Sequence, residues 1–412
     1  MRVRVFIMSN DLLNRYKHQD ITLVLRQRIV EGELRTGSRL PIRIELQQMF
    51  DASPTTVQRA MDTLRLEGFV ETRGKQGTFV VDQPPHLARY GLVFPHRPTP
   101  SQPWPRAFLA LAHQATAVSR SGHRRIVAYY TSNVDSQSEE YKRLSADLTA
   151  HRLAGLFFAS NPAALLRHPP LADRSVPMVA MALPGEQQIV ETIWVDRRAF
   201  FCQAMDRLAS QGCRHVAVIA SQMMAKEFPD PGFEAFVDAE LAARHMSTHP
   251  SWIQYVSPSE AAGASNLLRL LMNDRQVDRP DGLIVADDNV AQFVAAALVS
   301  MGIRCGGSEA DIHVVAHCNF PDVVPMAVPM TRIGFSAADM MAMALAALQG
   351  PQDGRASRAV HLVPPCSEAE FAAKQGAHDS FFADASSEPL PHDNGSGYES
   401  SGWSRGPLLP RG

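Results

Sequence analysis

Ser53-Pro54-Thr55-Thr56, followed by Gln58 and Arg59, sets small hydroxyls, an amide and a guanidinium within seven residues. Such groups bond phosphate oxygens and base edges when they stand together at the start of a helix. The start is written locally: Ser53 offers an N-cap oxygen, Pro54 takes the first helical position, where no backbone donor is needed, and Gly68 supplies the stop. Val57, Ala60, Met61 and Leu64 recur at i, i+3, i+4, i+7, so they face a core and leave Pro54, Thr55, Gln58, Arg59, Asp62 and Arg65 outside. An ordinary amphipathic surface helix has the same period. The surroundings decide between the two readings.

Upstream, Ile21, Val24, Leu25 and Ile29 predict a helix ending near Gly32, and Gly37 and Leu40-Pro41 lead into a second helix carrying Leu46, Met49 and Phe50. Downstream, Phe69 to Arg73 and Thr78 to Val81 read as two strands joined by Gly74-Lys75-Gln76-Gly77, a turn with a cation at its tip. Three helices and a hairpin in this order resemble the winged-helix DNA-binding domain of the GntR family of bacterial transcription regulators. The resemblance rests on Tyr16, Ile21, Leu25, Ile29, Gly32, Leu34, Gly37, Leu40-Pro41, Glu45-Leu46, Phe50, Ser53, Thr55-Thr56-Val57, Ala60, Leu64, Gly68 and Gly77-Thr78-Phe79-Val80. It implies a double-stranded DNA operator as partner, contacted by Arg43, Ser53, Pro54, Thr55, Thr56, Gln58, Arg59, Arg73, Gly74 and Lys75. Departures matter. The family's Leu-Pro-Ser-Glu-Arg is here Leu40-Pro41-Ile42-Arg43-Ile44, which leaves Arg43 to substitute for the arginine absent at 44. The arginines that flank the threonines in relatives are here Pro54 and Gln58, so operator preference does not transfer.

At 412 residues the chain exceeds one typical domain, and 45% hydrophobic with 20% charged residues excludes disordered and fibrous classes. The net charge of −2 speaks against a nucleic-acid partner, but the first 88 residues hold thirteen cations against ten carboxylates, a local balance of +3. Five cysteines, at 202, 213, 305, 318 and 366, are odd in number and lack CxxC spacing, which supports neither a disulfide framework nor structural zinc. The apolar run Val5 to Met8 is too short for a signal-peptide core, and no longer run spans a bilayer. A cytoplasmic protein without a membrane partner is expected.

After Val81, Asp-Gln-Pro-Pro-His reads as a linker, and from Tyr90 strand-length apolar runs alternate with helical patterns. Strands are predicted at Tyr90 to Phe94, Arg125 to Tyr130, Gly155 to Ala159, Val176 to Met181, His215 to Ala220, Ile253 to Val256, Gly282 to Ala286 and Ile312 to Ala316, with helices between them and a last helix over 336 to 349. That alternation predicts parallel sheets covered by helices. Ala154-Gly155-Leu156-Phe157-Phe158, Val195-Asp196-Arg197, Leu208-Ala209-Ser210-Gln211-Gly212, Gly232-Phe233, Pro280-Asp281-Gly282-Leu283-Ile284-Val285-Ala286-Asp287-Asp288 and Pro329-Met330-Thr331-Arg332-Ile333 resemble the effector domain of LacI-type regulators. That domain shares the two-lobed fold of periplasmic sugar-binding proteins, and its union with a GntR-type head is found in arabinose-responsive regulators.

In such a body the ligand sits in the crevice beyond the carboxyl ends of the strands. Strand ends nominate Phe94, His96 and Arg97, then Asp287 and Asp288, then His317, Asn319 and Phe320; Trp194 and Asp196 lie where relatives cross between lobes. The resemblance implies that Asp288 bonds ligand hydroxyls, a task suited to carboxylate acceptors, with capping of the following helix as the alternative. Asp196 reads as a hinge or structural residue ahead of a ligand contact, and Trp194 as a core residue or a platform for a sugar ring. His313 and His317 share a strand face beside Cys318, but the spacing fits no zinc pattern, and neither metal nor cofactor is expected. The arginine that precedes Gly232-Phe233 in relatives is missing, the sequence being Glu227-Phe228-Pro229-Asp230-Pro231, so a relative's sugar specificity does not transfer.

The expected protein is multi-domain: an α+β winged helix-turn-helix over 12–81, a linker over 82–88, an α/β two-lobed periplasmic-binding-protein-like domain with Rossmann-like lobes over 89–364, and a disordered tail over 367–412. It reads as a ligand-responsive repressor, a homodimer on a pseudo-palindromic operator that senses a small-molecule effector, sugar-like by the resemblance, and catalyses nothing. A pyridoxal-phosphate aminotransferase body would need a Schiff-base lysine, and after Lys75 only Lys142, Lys226 and Lys374 occur, in helical or tail contexts. An exported solute-binding protein would need an export signal.

Overall fold

The computed structural model describes residues 18–375 except 123, 132–137, 184–188, 223, 229, 231, 258–262, 274–277 and 351–358. The chain divides into a unit ending at Glu368 and a second one from Ala369, of which 369–375 are helical. The expected tail beyond 375 lies outside the described residues.

The first unit opens with helices α1 (His18–Val30), α2 (Arg43–Phe50) and α3 (Pro54–Leu66) and a hairpin of β1 (Val70–Thr72) and β2 (Thr78–Val80). Ser53 Oγ accepts from the Thr56 amide at 3.2 Å, which satisfies one of the orphan donors of α3. At its other end Gly68 takes φ +83, a left-handed turn that lets the Phe69 amide return to Leu64 O at 2.9 Å. Ile21, Leu25, Ile29, Leu40, Leu46, Phe50, Val57, Ala60, Leu64, Phe69, Val70 and Val80 form its core. Met49, expected on a buried face, is 47% exposed, because Leu46 and Phe50 already fill the contact of the short α2 with α3. Antiparallel pairing of Val70 with Val80 and Thr72 with Thr78 builds the wing, and a single 3₁₀ turn, Gly74–Gln76, carries its tip. The linker is not free. Pro85–Ala88 forms a one-turn helix, α4, with Pro85 buried and the His86 ring stacked on Phe69 at 6.0 Å.

Two six-stranded sheets follow. The first contains β3 (Arg89–Phe94), β4 (Arg125–Tyr130), β5 (Gly155–Phe158), β6 (Met178–Met181) and β7 (Glu191–Val195), with α5 (Arg106–Arg120) and α6 (Glu139–Thr149) in the connections. The chain then enters α7 (Arg197–Ser210), β8 (Val216–Ala220), α8 (Met224–Glu227), α9 (Phe233–Ala242), β9 (Ile253–Tyr255), α10 (Gly263–Leu271), β10 (Gly282–Val285), α11 (Asp288–Ser300), β11 (His313–Phe320) and β12 (Thr331–Ser336). It returns through α12 (Ala337–Gln349) to β13 (Val360–Val363) at the edge of the first sheet, and crosses once more to β14 (Cys366–Ser367). Strand order is β4-β3-β5-β6-β7-β13 in one lobe and β9-β8-β10-β11-β12-β14 in the other, the same winding twice. Every pair is parallel except β12 with β14. The order reverses at β3/β5 and at β8/β10, so each lobe opens a crevice at the carboxyl ends of those strands.

Several expectations are corrected. The strand expected at 312–316 runs from His313 to Phe320, so His317, Asn319 and Phe320 are part of the strand and not of a loop after it. The polar run His-Cys-Asn breaks the apolar signature of a buried strand, but β12 on one side holds it in the ladder as far as the Phe320–Ser336 pair. That approach is close: a Cβ on Gly334 would stand 1.8 Å from Cys318 O, so only glycine fits. β7, β12, β13 and β14 had no predicted strand, since ETIWV and TRIGFS mix polar with apolar residues. Ser367, expected to open the tail, pairs with Ile333, and the second sheet therefore extends past 364. The strand expected from Val176 starts at Met178, after Pro177, which has no amide to give to the ladder.

Candidate functional site

On the head, the fold brings the expected contact residues of α2, α3 and the wing to the surface. Ser53, Pro54, Thr55 and Arg59 are exposed at the start of α3, Arg43 at the start of α2, and Arg73, Gly74 and Lys75 on the wing. They are not equally available. The Ser53 and Thr56 hydroxyls bond each other at 2.8 Å within the cap. Arg73 lies over the Phe79 ring at 4.8 Å and pairs with Glu71 at 2.7 Å, so it buttresses the wing. Gln58 bonds Arg43 through Oε1 and donates through Nε2 to Asp62 at 3.0 Å.

In the body, the crevice is lined most informatively on the side of the second sheet. Asp287 is the N-cap of α11 and accepts from the Asn289 amide at 2.9 Å. The capping role weighed for Asp288 thus falls to its neighbour. Asp288 turns inward instead, 3% exposed, and one carboxylate oxygen accepts from Asn319 Nδ2 at 2.8 Å. Burial lifts its pKa to about 6 against the opposing Asn319 bond. Beside it, at 3.9 Å, the buried His317 ring lies between Phe200 and Phe335, with neither nitrogen hydrogen-bonded among the described residues. Burial, and then the Arg197 charge, push the His317 pKa well below its ordinary value, so the ring is neutral.

Arg197 joins this group to a second buried carboxylate. Its Nη1 reaches Ala286 O at 3.4 Å, and its Nε stands 3.3 Å from Glu227 Oε2, which also accepts from Trp194 Nε1 at 3.3 Å. Burial raises the Glu227 pKa while Arg197 opposes it, and Glu227 Oε1 has no hydrogen-bond partner among the described residues. Trp194 is therefore half-buried with its polar edge tied to the crossing between lobes. Asp196 caps α7 through the Ala199 amide at 2.9 Å, the structural role favoured for it. Sequence reading missed Arg197 and met Glu227 only as a departure. The available signal was the pair Lys226-Glu227 set between the apolar residues Met223 to Ala225 and Phe228.

Phe94, at the end of β3 in the first sheet, and Phe320, at the end of β11 in the second, are both fully buried. Phe94 packs under Trp104 at 4.4 Å, and Tyr130 and Phe108 complete an aromatic wall. Trp104 Nε1 donates to His96 O at 2.8 Å, and Arg97 lies over Tyr130 at 4.3 Å while pairing with Glu140 at 2.6 Å. The N-termini of α5 and α11 meet where the Arg106 amide donates to Asn289 Oδ1 at 3.2 Å. Among the described residues no group of three His, Cys, Asp or Glu stands close enough to hold a metal ion, and no helix is long and apolar enough to cross a membrane.

Comparison with known proteins agrees with this division. Residues 17–80 match the model for bacterial regulatory proteins of the gntR family, and residues 205–368 match that for a periplasmic binding protein-like domain. The chain is 44% identical over 59 residues to the uncharacterised HTH-type transcriptional regulator YieP of Escherichia coli (strain K12), which covers 14% of this chain and 26% of that protein. It is 32% identical over 65 residues to the Uxu operon transcriptional regulator of the same organism, covering 16% and 25%. The chain thus spans about a quarter of the length of these relatives. A regulatory protein of LacI family from Chloroflexus aggregans superposes over 68% of this chain and 96% of its own at 16% identity, with a TM-score of 0.49. The Cra transcriptional dual regulator from Pseudomonas putida, in complex with fructose 1-phosphate, does so over 68% and 97% at 17% identity, with a TM-score of 0.45. The head is a GntR-type winged helix, and the body is two-lobed with parallel sheets, as the two resemblances implied.

Proposed function

We propose that the chain is a ligand-responsive transcription regulator: the head binds duplex DNA, the body binds a small polar metabolite, and two copies act together on a pseudo-palindromic operator. The observation that carries this reading is the match of residues 17–80 to the gntR family model over a winged helix whose Thr55, Arg59 and Lys75 are exposed on α3 and the wing. Thr55 and the first turn of α3 reach the major groove, and Lys75 meets phosphate. Asp288, Asn319, Glu227, Arg197 and Trp194 form the effector site, sugar-like in class by the resemblance of the body. Domain limits follow as 12–81, 82–88 and 89–367. A homodimer is supported by the exposed Leu109 on α5 and Phe293 on α11, helices whose N-termini are bonded to each other. No reaction is assigned to the chain, and a regulator that acts on the chromosome works in the cytoplasm. Fluorescence anisotropy of the full-length protein with labelled random duplex at two salt concentrations tests the reading. Binding that weakens steeply with salt is expected, and no binding at low salt would refute it.

A further inference from the structure

Four polar side chains cross the head between α2 and α3 in a continuous series. Arg43, at the first position of α2, donates through Nη2 to Gln58 Oε1. Gln58 Nε2 donates to Asp62 Oδ1 at 3.0 Å, and Arg65 Nη2 donates to the same oxygen at 3.0 Å. The series borders a groove of about 300 Å³ between α2, α3 and the wing, whose other walls include Arg39, Thr72 and Thr78. A glutamine reads adenine by accepting from N6 with its carbonyl and donating to N7 with its amide. Each of those ends already makes a bond in Gln58, one with a charged donor and one with a charged acceptor, and charge-assisted bonds, the stronger kind, hold the amide in that orientation. Arg43 is in the opposite position. It is exposed, it spends one of five N–H donors on Gln58, and it keeps enough of the guanidinium free for a bidentate contact to guanine O6 and N7.

We propose that Arg43 reads the base edge, a guanine, and that Gln58 is a positioning residue that aims Arg43 and is itself held by Asp62. This rests on the DNA-binding reading of the head and assigns within it which side chain sets the preference. Asp62 serves by orientation: its charge is balanced by Arg65, so a carboxylate is tolerated near phosphate.

The test is selection from a random duplex library with the full-length protein and three variants: Arg43→Lys, Gln58→Ala, and the swap Gln58→Glu with Asp62→Asn. The swap reverses the donor between 58 and 62, keeps an acceptor for Arg43 and leaves the net charge unchanged, but it removes the amide that adenine recognition needs. Arg43→Lys and Gln58→Ala should both lose preference for guanine at the same base pair, by roughly 5- to 150-fold, the range for one bidentate contact. The swap should restore it, which a merely structural role for Gln58 does not require. If Gln58→Ala lost preference at a different base pair from Arg43→Lys, or the swap failed to restore the guanine, the assignment would be overturned. Absence of any duplex binding by the unaltered protein would instead overturn the function on which it rests.

Discussion

At Asp288 the burial of a carboxylate is only partly compensated: Asn319 donates to one oxygen, and His317 Nδ1 stands 3.9 Å from the other. Its folded pKa of about 6 lies above that of an exposed aspartate, so folding favours the protonated form. The stability gained is fully present at low pH and is lost as pH rises through about 6. Asp288→Asn keeps an acceptor for Asn319 without the charge. It is expected to stabilise the ligand-free body by about 1–3 kcal/mol at pH 7.5 and to change little at pH 4, as read by thermal unfolding at both. It should also weaken effector binding, the exchange typical of functional sites. A variant equally shifted at both pH values would mean that burial does not raise the pKa of this carboxylate in the folded protein.

At the scale of elements, α3 was readable because its determinants are local. Ser53, Pro54, the i, i+3, i+4, i+7 period and Gly68 fix start, buried face and end within sixteen residues. Ser53→Ala is expected to cost the head about 1 kcal/mol through loss of the Thr56 bond, measured by denaturant unfolding. On the wing, Lys75→Ala should weaken binding to all duplexes alike and lower the salt slope by about one, while leaving base preference intact. β11 was misread for the complementary reason. Its polar middle is held in the sheet by β12 and by a close approach at Gly334, contacts made by residues distant in sequence. Likewise, one Asp-Asp dipeptide divides into a cap and an inward carboxylate, a choice made by Asn319 and therefore invisible locally.

At the scale of the whole first unit, head and body are joined by an ion chain as well as by the linker. Arg26 and Arg152 each reach Glu67 at 2.6 Å, just after α3, and Arg152 also reaches Asp147 of α6 at 2.7 Å. All four side chains are largely buried, with Asp147 at 8% exposure, so solvent screens the chain weakly. A double-mutant cycle of Glu67→Gln with Arg152→Ala is expected to show an interaction of about 0.5–3 kcal/mol, typical of contacting residues. Independent effects would mean that this contact does not hold the head against the body. The head is thus held against the body where α6 meets the end of α3.

The central claim is that one chain couples ligand binding in the crevice to DNA binding by the head. Coupling is reciprocal, so it can be read from either side. The direct measurement is calorimetric titration of a metabolite identified by thermal shift into the full-length protein, alone and saturated with a selected operator duplex. A change in ligand affinity of roughly 5- to 150-fold between the two titrations is expected. Equal affinities would contradict the account, even if both binding activities were present.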